Sequence, residues 1–220
     1  MARSWTPEAW YFSSVEESDG LNNVEVTLGS YERGIHDYLR NSPVVPHPSA
    51  AAFRERLLAK LSPDDQMLEL GSGPGRDALF FEAAGISVRR SDGTAAFVNM
   101  LRGQGHEAEL LDITRDDLGE GLDVIFANAV LLHLTSEQLE DLLRRARRAV
   151  RARGLLAFTV KEGDGNAWTT EKLATPRYFR YWREPALRDL LERTGWAPES
   201  IGHAQGLLEP WLQVICRAAG

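Results

Sequence analysis

The sequence predicts an α/β fold built around a parallel sheet, and three observations predict it. Short apolar runs, each the length of one buried strand, alternate with segments whose apolar residues recur at helical spacing. The first run in this alternation, Met67–Leu70, leads into Gly71-Ser72-Gly73-Pro74-Gly75 and then into the helix-like stretch Ala78–Ala84. A strand, a glycine-rich turn and a helix make half of a nucleotide-binding unit. The chain also closes on two further runs, Pro198–Ala204 and Trp211–Arg217, which pair naturally as a hairpin.

The elements follow in order. Residues 1–45 differ from the rest: Trp5, Trp10, Tyr11 and Phe12 sit among polar residues, and Tyr31, Ile35, Tyr38 and Leu39 then fall at helical spacing. This predicts an N-terminal helical cap over 1–45, followed by one domain over 46–220. Pro43, Pro46 and Pro48 read as a stiff link into a helix from about Ser49 to Leu61. After the glycine turn, the helix over 78–84 stops at Gly85, a favourable residue just past a helix end. Ile86–Arg90 is the second strand, closed by Asp92, and a helix over 94–102 ends in Gly103-Gln104-Gly105. His106–Leu111 reads as the third strand and Leu122–Asn128 as the fourth. An amphipathic helix spans 136–151 with Ser136 as its expected N-cap. Gly154–Val160 is the fifth strand, apolar throughout as a strand buried on both faces must be. Thr169–Trp182 carries Arg177, Tyr178, Phe179, Arg180, Tyr181 and Trp182. It reads as a lid or wall with aromatics for a ring and arginines for an acid, or as a packed linker. A helix from Glu184 to Thr194 is stopped by Gly195.

Composition narrows the function. The length, 220 residues, suits one domain or one domain with a cap, and 43% hydrophobic residues can build a sizeable core. No apolar run approaches the ~20 residues of a membrane span. The N-terminus shows no secretory h-region, and the one cysteine, Cys216, has no internal partner. A cytoplasmic, reducing location is therefore expected. The net charge of −7 argues against a broad nucleic-acid-binding face. Arg144, Arg145, Arg147, Arg148, Arg151 and Arg153 are the local exception. Most of them fall opposite Leu139, Leu142, Leu143, Ala146 and Val150, on what reads as a solvated, salt-bridged helix face. No His/Cys cluster has metal-ligand spacing, so no metal is expected.

The glycine turn carries the chemistry. A dinucleotide turn is G-x-G-x-x-G, and here Arg76 stands where its third glycine belongs. The spacing is instead G-x-G-x-G, with Glu69 two places ahead of Gly71. Glu69-Leu70-Gly71-Ser72-Gly73-Pro74-Gly75 closely resembles motif I of the class I S-adenosylmethionine (SAM) methyltransferases of the small-molecule type. The likeness extends over about residues 49–220 and covers the first 45 only loosely. It implies a Rossmann-like three-layer sandwich whose seven-stranded, mostly parallel sheet ends in an antiparallel strand, with the N-terminal helical cap beside it.

The resemblance also implies roles. Glu69, Gly71, Ser72, Gly73 and Gly75 would wrap the methionine part and ribose of SAM. Asp92, with Gly93 beside it, would accept two hydrogen bonds from ribose hydroxyls, or cap the next helix, or do both. Asp112 would accept from the adenine amino group, with the Ile113 N–H at the ring, or would simply form a turn. Asn128 and Ala129 would meet the methionine end. Tyr31 and Tyr38 would close over the cofactor and acceptor respectively, or serve as packing residues. His133 would lie near the transferring methyl as general base, or shape the pocket from its wall. Lys161, Arg177, Tyr178 and Tyr181 would face the acceptor. The expected activity is transfer of a methyl group from SAM, leaving S-adenosylhomocysteine, to an O or N nucleophile of a small molecule, with a secondary metabolite as the expected kind of acceptor. The expected partners are that acceptor and at most a second copy of the chain (monomer or homodimer), with no nucleic acid and no membrane. An RNA-modifying methyltransferase, a non-catalytic SAM-binding domain and a nicotinamide oxidoreductase are the alternatives, the last disfavoured by Arg76.

Overall fold

The computed structural model describes residues 22–42, 47–171 and 173–220. The early aromatics, Pro43, Pro46 and the expected boundary at residue 45 lie outside the described residues. Helix α1 (Asn23–Asn41) starts where Asn22 accepts the N–H groups of Val24 and Glu25 and Glu25 reaches back to the Asn22 N–H. That capping box satisfies donors that a helix start otherwise leaves unpaired. Helix α2 (Pro48–Leu58) has proline in its first turn.

Strands β1 (Gln66–Leu70), β2 (Ser87–Asp92), β3 (Glu109–Leu110), β4 (Leu122–Ala127), β5 (Val150–Lys161), β8 (Trp196–Gln205) and β9 (Pro210–Ala218) form one sheet of order β3-β2-β1-β4-β5-β9-β8. The pairs through β5 are parallel, and β9 runs antiparallel between β5 and β8. Helices α3 (Arg76–Glu82), α4 (Ala95–Gly103), α5 (Ser136–Ala149) and α6 (Glu184–Arg193) flank it. Two buried apolar clusters form the core, one around Leu68, Ile125, Leu143 and Trp196, the other around Phe53, Phe81 and Phe126. This is the Rossmann-like sandwich with an antiparallel last strand, as expected.

Several elements differ from expectation. The third strand shrinks to Glu109–Leu110, because the His106 N–H closes the end of α4 on the Leu101 carbonyl. Thr135, not Ser136, caps α5, through a capping box with Gln138. Helix α5 also ends at Ala149, so Arg151 and Arg153 stand in the irregular start of β5. Four of the six clustered arginines are tied down: Arg144 to Glu140, Arg145 to Asp141, Arg151 to Asp123, and Arg147 to the carbonyls of Gly195 and Ala219. The stretch after β5 holds an antiparallel pair, β6 (Asn166–Thr169) and β7 (Arg177–Arg180), where a lid, a wall or a packed linker was expected.

Candidate functional site

The glycine turn adopts backbone that side chains resist. Gly71 and Gly73 have φ of +66° and +50°. A Cβ on Gly71 would lie 2.4 Å from Val130 Cγ2, whereas one on Gly73 would meet nothing within 4 Å. Gly73 therefore turns its open side to empty space, which suits close approach of a ligand to main chain. Asp92, at the end of β2, holds the turn in place. One carboxylate oxygen accepts the Gly73 N–H at 2.9 Å and the other accepts the Thr94 N–H at 2.8 Å. Burial pushes this carboxyl upward against the pull of those two donors.

The empty space is a cavity of about 750 Å³, counted to its mouth, at the carboxyl ends of β1, β2 and β4. In open α/β sheets ligands bind there. Gly71, Gly73, Asp92, Gly93, Asp112, Ile113, Asn128, Ala129, Tyr31, Tyr38 and His133 all line it. Helix α1 forms one wall through Val24, Thr27, Leu28, Tyr31 and Tyr38. The wall residues Val24, Thr27 and Leu28 were not foreseen. Their helical spacing and the Asn22–Glu25 capping pair are both present in the sequence.

Other expected residues sit behind this surface. Glu69 is buried beneath the turn, and burial raises its carboxyl to about 8. Its Oε2 and the Ser72 hydroxyl are buried without hydrogen-bond partners among the described residues. Gly75 starts α3, and a Cβ there would press on Leu101. Asp112 spends one oxygen on the N–H and hydroxyl of Thr114 and directs the other toward Arg115. Asn128 is held at both ends: its amide donates to Asp77 at 2.9 Å, and its carbonyl accepts from the Thr159 hydroxyl at 2.8 Å. Thr159 also accepts the Ala129 N–H, fixing Ala129 at φ +58°, and Arg54 of α2 bonds the other Asp77 oxygen. Nothing in the linear sequence points to this Arg54–Asp77–Asn128–Thr159 chain.

His133 sits on a short 3-10 turn, Leu131–His133, and both of its nitrogens are engaged. Nδ1 lies 2.7 Å from the Tyr178 carbonyl and Nε2 lies 3.0 Å from the Tyr31 hydroxyl. Arg177 Nη1 donates to that same hydroxyl at 3.1 Å. A carbonyl only accepts, so Nδ1 carries the hydrogen of the neutral ring and donates it to Tyr178, which leaves Nε2 to accept from the Tyr31 hydroxyl, whose oxygen accepts from Arg177. Burial pushes the imidazole down to about 3, with the Arg177 and Lys161 charges adding to the effect and the bond to the Tyr178 carbonyl opposing it. Burial also pushes the Tyr31 phenol up to about 12.

Lys161, Arg177, Tyr178 and Tyr181 back the cavity and do not line it. Lys161 pairs with Glu209 at 2.5 Å and rests 4.0 Å above the Phe179 ring. The Tyr181 hydroxyl faces Glu209, and Tyr178 stacks edge-on to Trp168. Arg177 is buried, holds the Glu171 carbonyl, and lies over the Tyr31 and Phe179 rings.

Comparison with known proteins adds a family and a fold. Residues 46–201 match the family described as a methyltransferase domain. No curated protein is matched by the sequence. Among solved structures, the chain is similar to the 1,6-didemethyltoxoflavin N1-methyltransferase of Burkholderia thailandensis, bound to 1,6-didemethyltoxoflavin and S-adenosylhomocysteine. The TM-score is 0.70 at 20% identity, over 87% of this chain and 85% of that one. It is also similar to the magnesium protoporphyrin IX methyltransferase of Synechocystis PCC 6803 with bound SAM, at TM-score 0.71 and 13% identity over 92% and 100%. The CcbJ methyltransferase of Streptomyces caelestis follows at 0.68 and 18% over 87% and 98%. At these identities the likeness is one of fold.

Proposed function

Because the chain belongs to the methyltransferase-domain family, we propose that it moves a methyl group from SAM to an O or N nucleophile of a small molecule. The observation that carries this reading is the cavity itself, where Gly73, Asp92, Asp112, Asn128 and His133 converge at the carboxyl ends of the strands. The residues suit SAM. Gly73 leaves room for it, Asp92 and Asp112 retain lone pairs for donors, and Asn128 is fixed for the methionine end. Bound there, SAM would supply an electrophilic methyl on a sulfonium, which needs no metal to activate it. The protein's part is to hold the nucleophile in line and exclude water.

A small acceptor suits a cavity walled by α1 and the aromatic rings of Tyr31, Tyr38 and Phe97. The structural neighbours named for toxoflavin and porphyrin chemistry support the same class. Secondary metabolism, a cytoplasmic site of action and a division at residue 45/46 belong to this proposal. No helix among the described residues is long and apolar enough to cross a membrane. An RNA acceptor is disfavoured by the internal pairing of the arginine cluster. Calorimetric titration with SAM, S-adenosylhomocysteine and NAD tests the reading. Micromolar SAM binding and no NAD binding are expected, and binding of NAD in place of SAM would overturn it.

A further inference from the structure

Arg177 is an unusual buried group. It is 4% exposed, yet no carboxylate of the described residues lies within salt-bridge distance of it. Its Nε–H is buried without a partner. Its two remaining bonds go to neutral oxygens, the Tyr31 hydroxyl and the Glu171 carbonyl. A buried guanidinium is retained at a cost unless an anion compensates it. Lys161, the other cation near His133, already has Glu209. Among the described residues Arg177 therefore has no paired carboxylate, and it stands beside Tyr31, which lines the cavity along with Asp92 and Asp112.

The same corner offers only a weakly basic imidazole, engaged at both nitrogens in the ligand-free site. Nδ1 of His133 is taken by the Tyr178 carbonyl and Nε2 by the Tyr31 hydroxyl. A proton arriving on this imidazole would face two cations, and burial already holds the ring neutral. An alcohol acceptor must lose a proton here, and an ammonium acceptor would be repelled by Arg177.

Resting on the methyltransferase reading above, we infer that the acceptor is a small carboxylic acid, bound as its carboxylate against Tyr31 in the field of Arg177 and converted to a methyl ester. The Tyr31 hydrogen turns from the imidazole to the stronger acceptor while Arg177 keeps its bond to the phenol oxygen, giving a charge-assisted chain from guanidinium to carboxylate. In the reaction a carboxylate oxygen forms the new O–CH3 bond as the S–CH3 bond breaks. The electron pair stays on sulfur, the sulfonium becomes a thioether, and no proton is transferred.

Two measurements on the full chain test this. First, the protein is incubated with SAM carrying a tritiated methyl group and the small-molecule fraction of a cell extract, and the products are then treated with mild alkali. Methyl esters release volatile tritiated methanol, whereas N-methyl and ether products keep their label. Label that resists alkali overturns the inference and leaves the methyltransferase reading standing; failure to consume SAM overturns both. Second, binding is read by heat unfolding with saturating S-adenosylhomocysteine, using benzoate as probe and benzyl alcohol as its neutral match. Benzoate should raise the midpoint saturably and the alcohol should not. Arg177→Gln should weaken benzoate by about 10–100-fold, as loss of a charge-assisted contact does, and Arg177→Lys should restore most of it. If Arg177→Gln does not fold, Tyr31→Phe supplies the same comparison. Equal responses to benzoate and benzyl alcohol in the wild-type protein overturn the carboxylate assignment, whereas no stabilisation by S-adenosylhomocysteine overturns the underlying function.

Discussion

The Tyr31 hydroxyl meets Nε2 of His133 at 3.0 Å, joining helix α1 to the turn that follows β4. Because the Tyr178 carbonyl can only accept and the buried imidazole is neutral, the direction of every hydrogen in the chain from Arg177 to that carbonyl is determined. Tyr31→Phe would leave Nε2 and one guanidinium N–H buried without partners. It should cost about 1–3 kcal/mol of stability, the penalty for unsatisfied buried polar groups. Urea unfolding measures this, and a loss within error of zero would mean that the chain closes through water.

For His133, a ring held at about 3 is neutral throughout the range in which enzymes are assayed. Turnover should show no acid limb near ~6.5, the ordinary histidine value. His133→Gln should raise the acceptor KM more than it lowers kcat. A limb near 6.5 that disappears in His133→Gln would restore the histidine as general base.

The glycines at 71 and 73 should respond differently to alanine. Gly71→Ala drives a methyl into Val130 and should destabilise the fold by about 1–3 kcal/mol, as overpacking does. Gly73→Ala meets no protein atom and should cost about 1 kcal/mol for its positive φ. The methyl then occupies the cavity, so SAM affinity should fall at least tenfold. Chemical unfolding paired with SAM calorimetry separates the two, and equal SAM affinity in Gly73→Ala and wild type would remove this turn from the binding site.

Glu69 and His133 bend stability with pH in opposite senses. An unfolded Glu69 loses its proton near the ordinary value of 4.5, while the folded one keeps it to about 8. The native state holds the extra proton in that window, so this residue's contribution falls as pH rises from 4.5 to 8. An unfolded His133 gains a proton near 6.5 and the folded one only near 3, so its contribution falls as pH drops between those values. Glu69→Gln should therefore flatten the alkaline side of the ligand-free stability profile, by on the order of a few kcal/mol. An unchanged slope between pH 6 and 8 would mean that Glu69 is ionised in the fold.

What could be read from the sequence was local. The glycine turn, Asp92 after the second run and Asn128 after the fourth announce themselves by residue type and order, because a strand end and its turn are fixed within a few residues. Helix α1 was half legible: its aromatic spacing showed, but its start at the Asn22–Glu25 capping box was passed over. The β6–β7 pair was missed, since Arg177–Arg180 gains its strand character from Asn166–Thr169 and its place from α1, 146 residues away at the Arg177–Tyr31 bond. The support behind Asn128 was hidden for the same reason. Arg54, Asp77 and Thr159 come from three elements, and only the fold brings Asp77 and Thr159 to the Asn128 amide and Arg54 to Asp77.

Helix α1 rests against the cavity through polar bonds as well as through Val24, Leu28 and the Tyr31 and Tyr38 rings. Asn23 reaches the His133 carbonyl, Thr27 accepts from the Tyr178 N–H, Ser30 donates to the Pro176 carbonyl, and Glu32 accepts from the Ala96 N–H. Each such bond has a net worth of about 1 kcal/mol. A wall fastened in this way can lift and reseat within a catalytic cycle without unfolding the sheet. If the helix must lift for the spent cofactor to leave, several fastenings let go together, residence time is set by the seating of one helix on the microsecond-to-millisecond scale of such motions, and solvent viscosity should then slow turnover even where the bond-making step is fast.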